Sequence, residues 1–197
     1  MCGDSRFPES LSPLGLSRLL TEVEERRSLA YFSTNTKTNV YFSTDDPSFA
    51  KDHPQRIFLE RTNGFITSGC YDESTSSLTF CQWPALMNFI QDCLGQDQLY
   101  IYDNLVSNMI VNVLTPGSQF NGYFDTNEFT ITMLLKSTAS GGHFEYVPNL
   151  RNAEDERYED VQAVLSGDLQ LFLGRFSLHR VTNHPPVGSS AAYCVLH

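Results

Sequence analysis

The chain has 197 residues, of which 41% are hydrophobic and 18% charged, a globular composition that excludes a disordered chain. Thirteen Lys and Arg against 23 Asp and Glu leave a formal charge of -10, which repels phosphate backbones and anionic headgroups, so neither nucleic acid nor a membrane surface is expected as a partner. Five cysteines without a Cys-x-x-Cys pair point away from a zinc knuckle and toward a reducing compartment. With no apolar leader and no run near the ~20 apolar residues that span a bilayer, a cytoplasmic protein is expected.

The opening residues are polar and broken by Pro8 and Pro13. Leu14, Leu16, Leu19, Leu20 and Val23, followed by Glu24-Glu25-Arg26-Arg27, then predict an amphipathic helix packed outside a sheet. From Tyr31 to Phe49, Ser, Thr and Asn with scattered aromatics read as short strands and turns, and Ser74 to Ser77 as a polar break. Trp83 to Gly95 has a proline near its start and a glycine at its end, the signature of a second helix. Leu99–Tyr102, Met109–Leu114, Phe129–Leu135, His143–Val147, Leu169–Leu173 and Tyr193–Leu196 are short, β-rich and bounded by turn residues. Between them, Asn152 to Leu165 predicts a helix, with Asn152 as cap and Glu154, Asp155 and Glu156 in its first turns. No repeat or linker divides the chain, so one domain over 1–197 is expected, with helices and outer strands in 1–98 and a mostly β half in 99–197.

In an extended Asn121–Thr130 segment, Tyr123 and Asp125 share a face because strand side chains alternate with period two. Gly174-Arg175-Phe176-Ser177-Leu178-His179-Arg180-Val181 adds a histidine among apolar neighbours, and carboxylate plus imidazole is a donor pair that suits iron. On pattern alone the bland readings stand beside it: a hydrogen-bonded histidine, and an Asp-Thr-Asn turn whose carboxylate bonds nearby amides.

Several segments together carry a resemblance: His53-Pro54-Gln55-Arg56, Thr62-Asn63-Gly64-Phe65, Phe124-Asp125-Thr126-Asn127-Glu128-Phe129-Thr130, Gly141-Gly142-His143-Phe144-Glu145-Tyr146-Val147-Pro148-Asn149-Leu150-Arg151, and Gly167-Asp168-Leu169 to Thr182. In this order they resemble the 2-oxoglutarate/Fe(II)-dependent oxygenases, in particular a small-molecule-oxidising, prolyl-hydroxylase-like group, over roughly Asp52 to Leu196. The resemblance implies a mainly β (α+β) fold with flanking helices around a double-stranded β-helix (jelly-roll, cupin-like) core in 99–197. It also implies Fe(II) and 2-oxoglutarate as cofactors and hydroxylation-type oxidation of a small organic or amino-acid-like substrate. In that family a His-x-Asp pair and a later His hold the metal. Asp125 and His179 match, whereas the first histidine falls on Tyr123, a neutral phenol and a poor ligand for Fe(II).

The family's arginine beyond the distal histidine, which clamps the far carboxylate of 2-oxoglutarate, is also missing: no arginine follows Arg180, and Ala191 takes its place. Ser189 and Ser190 are the remaining hydroxyls there for the cosubstrate. The resemblance further implies a short strand before Gly167 that the chain lacks, so a neighbouring edge would be covered by different sheet closure or by a second copy in a homodimer. Three functions stay open at this point. They are an oxygenase with a degraded metal and cosubstrate site, a metal-independent enzyme using Tyr123, Asp125 and His179 for acid–base or cyclisation chemistry, and a silent homologue binding a ligand or partner. Tyr123 also reads as a core filler, and Arg151 and Arg175 as partners of the acidic segment 154–160.

Overall fold

The computed structural model describes residues 4–7, 10–32, 36–104, 106–136, 141–148, 150, 169–184 and 191–196. Helix α1 (Pro13–Arg26) starts as its sequence dictates: the Ser12 hydroxyl accepts from Gly15 N at 3.1 Å, and Pro13 occupies the first turn, where its missing N–H costs nothing. Leu19 and Val23, one turn apart, supply its buried stripe. Helix α3 (Pro84–Leu94) buries Leu86, Ile90 and Leu94 at the same spacing and ends at Gly95, whose φ of +62° is the left-handed conformation that stops a helix.

Between them a further helix, α2 (Ser76–Cys81), begins inside the expected polar break. Its cap comes from another element: Glu22 of α1 accepts from Ser76 N at 2.6 Å, from Ser77 N at 2.8 Å and from Ser77 Oγ at 2.6 Å.

The strands are β1 (Asp4–Phe7), β2 (Tyr31–Phe32), β3 (Thr36–Thr38), β4 (Leu59–Arg61), β5 (Gly64–Thr67), β6 (Met109–Leu114), β7 (Phe120–Tyr123), β8 (Thr130–Lys136), β9 (Phe144–Val147), β10 (Leu169–Phe172), β11 (Leu178–Val181) and β12 (Ala191–Leu196). They form a seven-stranded sheet in the order β1-β10-β8-β12-β6-β5-β2 and a five-stranded sheet in the order β3-β4-β7-β11-β9. Every pairing is antiparallel.

Five of the expected strands are present within two residues of their ends. Leu99–Tyr102 is not a strand; it runs as irregular chain, and its side chains join α3 in lining an apolar cavity of about 250 Å³. The polar opening segment carries β1, which pairs with β10 from Asp4 opposite Phe172 to Phe7 opposite Leu169 and covers the side of β10 that β8 does not. The expected helix over 152–165 lies outside the described residues.

Strand alternation sorts the core into two clusters. In β6, Met109, Val111 and Val113 pack with Ile66, Met133, Leu169, Leu171 and the buried residues of all three helices on the outer face of the larger sheet. The next residue in the same strand, Leu114, joins Leu134, Phe172, Phe120, Phe144, Tyr146 and Val181, which come from both sheets and fill the space between them. The molecule is therefore layered as helices, seven-stranded sheet and five-stranded sheet, and the inter-sheet layer also receives the polar Asn112 and His179.

Candidate functional site

Strands β7 and β11 are neighbours, and their register sets Tyr123 directly opposite His179. The two rings meet edge-on, with centroids 4.1 Å apart and planes at 60°. Two residues past Tyr123, Asp125 is fixed by its backbone N donating to Gly174 O at 3.1 Å. Its carboxylate reaches back with Oδ1 3.4 Å from His179 Nε2, while Oδ2 accepts from Thr130 Oγ1 at 2.5 Å. The expected Tyr123, Asp125 and His179 thus come together although 56 residues separate the first from the last.

Room for the carboxylate depends on residue 174 having no side chain. A Cβ there would stand 2.5 Å from Asp125 Oδ2 and collide with Thr130 Oγ1. His179 is 2% exposed and boxed in by Tyr123, Phe172 at 5.0 Å and Phe144 at 5.8 Å. Its Nδ1 lies 2.9 Å from the Ser177 carbonyl, which only accepts, so Nδ1 carries a hydrogen and Nε2 is the ring nitrogen that faces Asp125.

As a metal centre the donor set falls short. Asp125 and His179 converge, but among the described residues no group of three His, Cys, Asp or Glu side chains does. Tyr123 does not make up the number: burial, reinforced by the Asp125 charge and only partly opposed by Arg61, pushes its pKa well above the ordinary phenol value of 10.0, so the side chain stays a neutral phenol. Asp125, His179 and Tyr123 do not fit the facial triad that holds Fe(II).

Beside these residues lies a cavity of about 360 Å³ that reaches solvent past the exposed Phe42 and Thr126. Tyr123, Asp125, Asn112, Phe65, Phe120 and Arg61 line it. Arg61 sits opposite Phe120 in the β4–β7 pairing, its guanidinium 3.8 Å from that ring's centroid and 5.3 Å from those of Phe42 and Phe65. Burial lowers the guanidinium's proton affinity, while Tyr123 and Asp125 raise it. Phe42 holds φ = +53° at the rim, in a turn organised by Asn39, whose Oδ1 accepts from Tyr41 N at 3.1 Å and from Ser43 N at 3.0 Å.

Sequence reasoning passed over Arg61, Asn112 and Phe42. Asn112 carried a readable signal, a lone carboxamide in the apolar run Met109–Leu114. Arg61 carried none, since a cation between Glu60 and Thr62 looks like an exposed strand residue.

Ser189 and Ser190, expected at the cosubstrate site, lie outside the described residues, and Ala191 opens β12 opposite Leu114. His143 stays at the margin, its N donating to Thr182 Oγ1 at 2.9 Å, while Phe144 and Tyr146 point inward as alternation requires. His184 is buried, its N donating to Ser118 O at 2.9 Å. Arg175 donates to the Thr126 carbonyl at 2.6 Å and 3.2 Å, whereas Arg151 and the acidic segment 154–160 fall outside the described residues.

No family model matches the chain, and no curated protein does. Solved structures do, and the fold they share with it is that of the 2-oxoglutarate/Fe(II) oxygenases. A Pseudomonas putida prolyl-4-hydroxylase superposes with a TM-score of 0.59 at 14% identity, over 98% of this chain and 90% of its own. A Trichoplax adhaerens prolyl hydroxylase, solved with a hypoxia inducible factor peptide fragment, gives a TM-score of 0.63 at 14% identity over 98% and 82%. HygX from Streptomyces hygroscopicus, solved with nickel, 2-oxoglutarate and hygromycin B, gives 0.59 at 12% identity over 98% and 81%.

Proposed function

We propose that the chain is a divergent oxygenase-like protein, a single domain with a double-stranded β-helix core whose inter-sheet cavity takes a small organic or amino-acid-like substrate, and whose metal and cosubstrate sites are degraded. The observation that carries this reading is the convergence of Asp125 and His179, the two positions matching the family's ligands, with the phenol of Tyr123 where the third would stand. HygX, with 2-oxoglutarate and hygromycin B bound, and the peptide-bound prolyl hydroxylase support a cavity for an organic substrate. A volume of about 360 Å³ suits a small one.

A second reading uses the same pair without metal, for proton transfer or cyclisation. The 3.4 Å approach of Asp125 to His179 and the anchoring of Nδ1 by Ser177 favour it: Nε2 can take a proton and return it while the carboxylate offsets the imidazolium charge.

Anaerobic Fe(II) titration by calorimetry, on the protein as it stands, on Asp125→Ala and on Tyr123→His, tests the degraded site. The unmodified chain is expected to retain no stoichiometric iron, and Tyr123→His to bind one equivalent that the added Asp125→Ala removes. Stoichiometric, Asp125-dependent binding by the unmodified chain overturns the degraded-site reading. Failure of Tyr123→His to gain iron overturns the assignment of these positions as former ligands.

A further inference from the structure

The polar wall of the inter-sheet cavity has a direction. A guanidinium only donates, so the bond of Arg61 Nε to Asn63 Oδ1 at 2.8 Å fixes the Asn63 amide with its oxygen toward Arg61. Asn63 Nδ2 must then point away, and it donates to Asn112 Oδ1 at 2.7 Å. That in turn fixes the second amide and leaves the Asn112 NH2 as a donor. Asn63 is fully buried and Asn112 is 6% exposed, so water does not reorient this chain freely.

The chain therefore delivers donors to the cavity. Among the described residues nothing accepts from the two terminal nitrogens of Arg61, and no carboxylate lies within ion-pair distance of them. Neither nitrogen is sealed from solvent, unlike Arg27 Nη1, Tyr71 Oη and Gln170 Nε2. The cavity's own carboxylate, Asp125, is engaged by Thr130 and faces His179. The remaining lining is aromatic, with Phe42, Phe65 and Phe120 placed around the guanidinium. A half-buried cation among aromatic rings, with spare donors and, among the described residues, no carboxylate within ion-pair distance although Asp125 acts on it at longer range, is complemented by an anionic group carried on an apolar body.

We propose that Arg61 and Asn112 make this cavity a receptor for a small organic carboxylate, the carboxylate lying on the guanidinium and the carboxamide NH2 and the hydrocarbon part packing against Phe42, Phe65 and Phe120. This rests on the reading of the cavity as the substrate site and names the class of substrate. The anchor stands on β4, ahead of both Asp125 and His179 in the chain, and is unrelated in sequence position to the arginine that the family places after its distal histidine. It holds the ligand through a bidentate-capable fork beside Tyr123 and the Asp125–His179 pair, so the end of the molecule nearest those residues is the part exposed to their chemistry.

Calorimetric titration with isosteric pairs, phenylacetate against phenylacetamide and 3-phenylpropionate against its amide, reads the charge preference directly. The unmodified protein is expected to bind each acid at least roughly tenfold more tightly than its amide, the scale of one charge-assisted hydrogen bond. Arg61→Met keeps an apolar stem over Phe120 and is expected to bind acid and amide alike. Equal binding of acid and amide by the unmodified protein overturns the carboxylate assignment, as does binding of neither, and this comparison holds even if Arg61→Met fails to fold. An acid preference that survives in a folded Arg61→Met places the anion elsewhere and also overturns the proposal. Equal binding leaves the cavity a small-molecule site, while the iron titration of Tyr123→His decides the site's descent independently, so the two failures are told apart.

Discussion

The two faces of the seven-stranded sheet are built by the same strands under opposite rules. The outer face is a volume problem: Val111, Val113, Leu169 and Leu171 meet Leu19, Val23, Ile90 and Leu94 of the helices, and any apolar set of the right size would serve. The inner face is a pairing problem, since the layer it shares with the smaller sheet holds Asn112, Thr130 and His179 away from water, and such groups persist there only with defined partners. If the inner layer is the substrate site proposed above, stability resides on the first face and selectivity on the second, and mutations on the two sides should separate in their effects.

The largest expected effect is on the outer face. Leu171→Ala, at a residue 1% exposed beneath the helices, should cost about 2–5 kcal/mol in chemical denaturation, while the folded fraction keeps its ligand preferences unchanged. A loss of carboxylate preference in that variant would break the division between the faces. Next comes Gly174→Ala, whose added Cβ meets the Asp125 carboxylate and Thr130 and is expected to cost about 1–3 kcal/mol. In a Tyr123→His background the same change should abolish the iron binding gained there, because the carboxylate can no longer reach His179; retained binding would show that Asp125 has another position available.

The smallest effect belongs to the helix layer and is set by pH. Burial raises the Glu22 carboxyl, but the hydroxyl and amide of Ser77 and the amide of Ser76 together outweigh it and hold the group below the ordinary 4.5. A carboxyl depressed in the folded state stabilises above its unfolded value, and the contribution fades as pH falls through the folded one. Glu22→Gln should therefore cost about 1 kcal/mol at neutral pH and progressively less as pH drops below 4.5, measured as paired urea denaturations. A gap that stays constant with pH would assign the effect to lost packing instead of the charged cap.

How far the sequence could be read follows the same division. Alternation in Met109–Leu114 and in Thr130–Lys136 marks strands because every second apolar residue must meet the helix layer, and the proline and glycine at the ends of α3 mark its limits. Tyr123, Asp125 and His179 were legible as a group only through the order of their segments; the register that makes Tyr123 face His179 confirms their proximity. Helix α2 was not legible, because its cap sits on α1, and β1 was not, because Asp-Ser-Arg-Phe becomes a strand by pairing with β10. Leu99–Tyr102 misled for the converse reason, offering strand-forming residues that find no partner strand among the described residues.

By itself the sequence determined the mostly β second half and the helices α1 and α3, and it put a tyrosine and an alanine where the family it resembles has a histidine and an arginine, because each is written in local periodicity or in the identity of one residue. Only the tertiary structure decided that Arg61, Asn63 and Asn112 form one oriented chain of donors around an aromatic cavity. Hydrogen-bond direction between residues 49 positions apart is fixed by which groups the folded sheets bring within reach, and no local pattern records it.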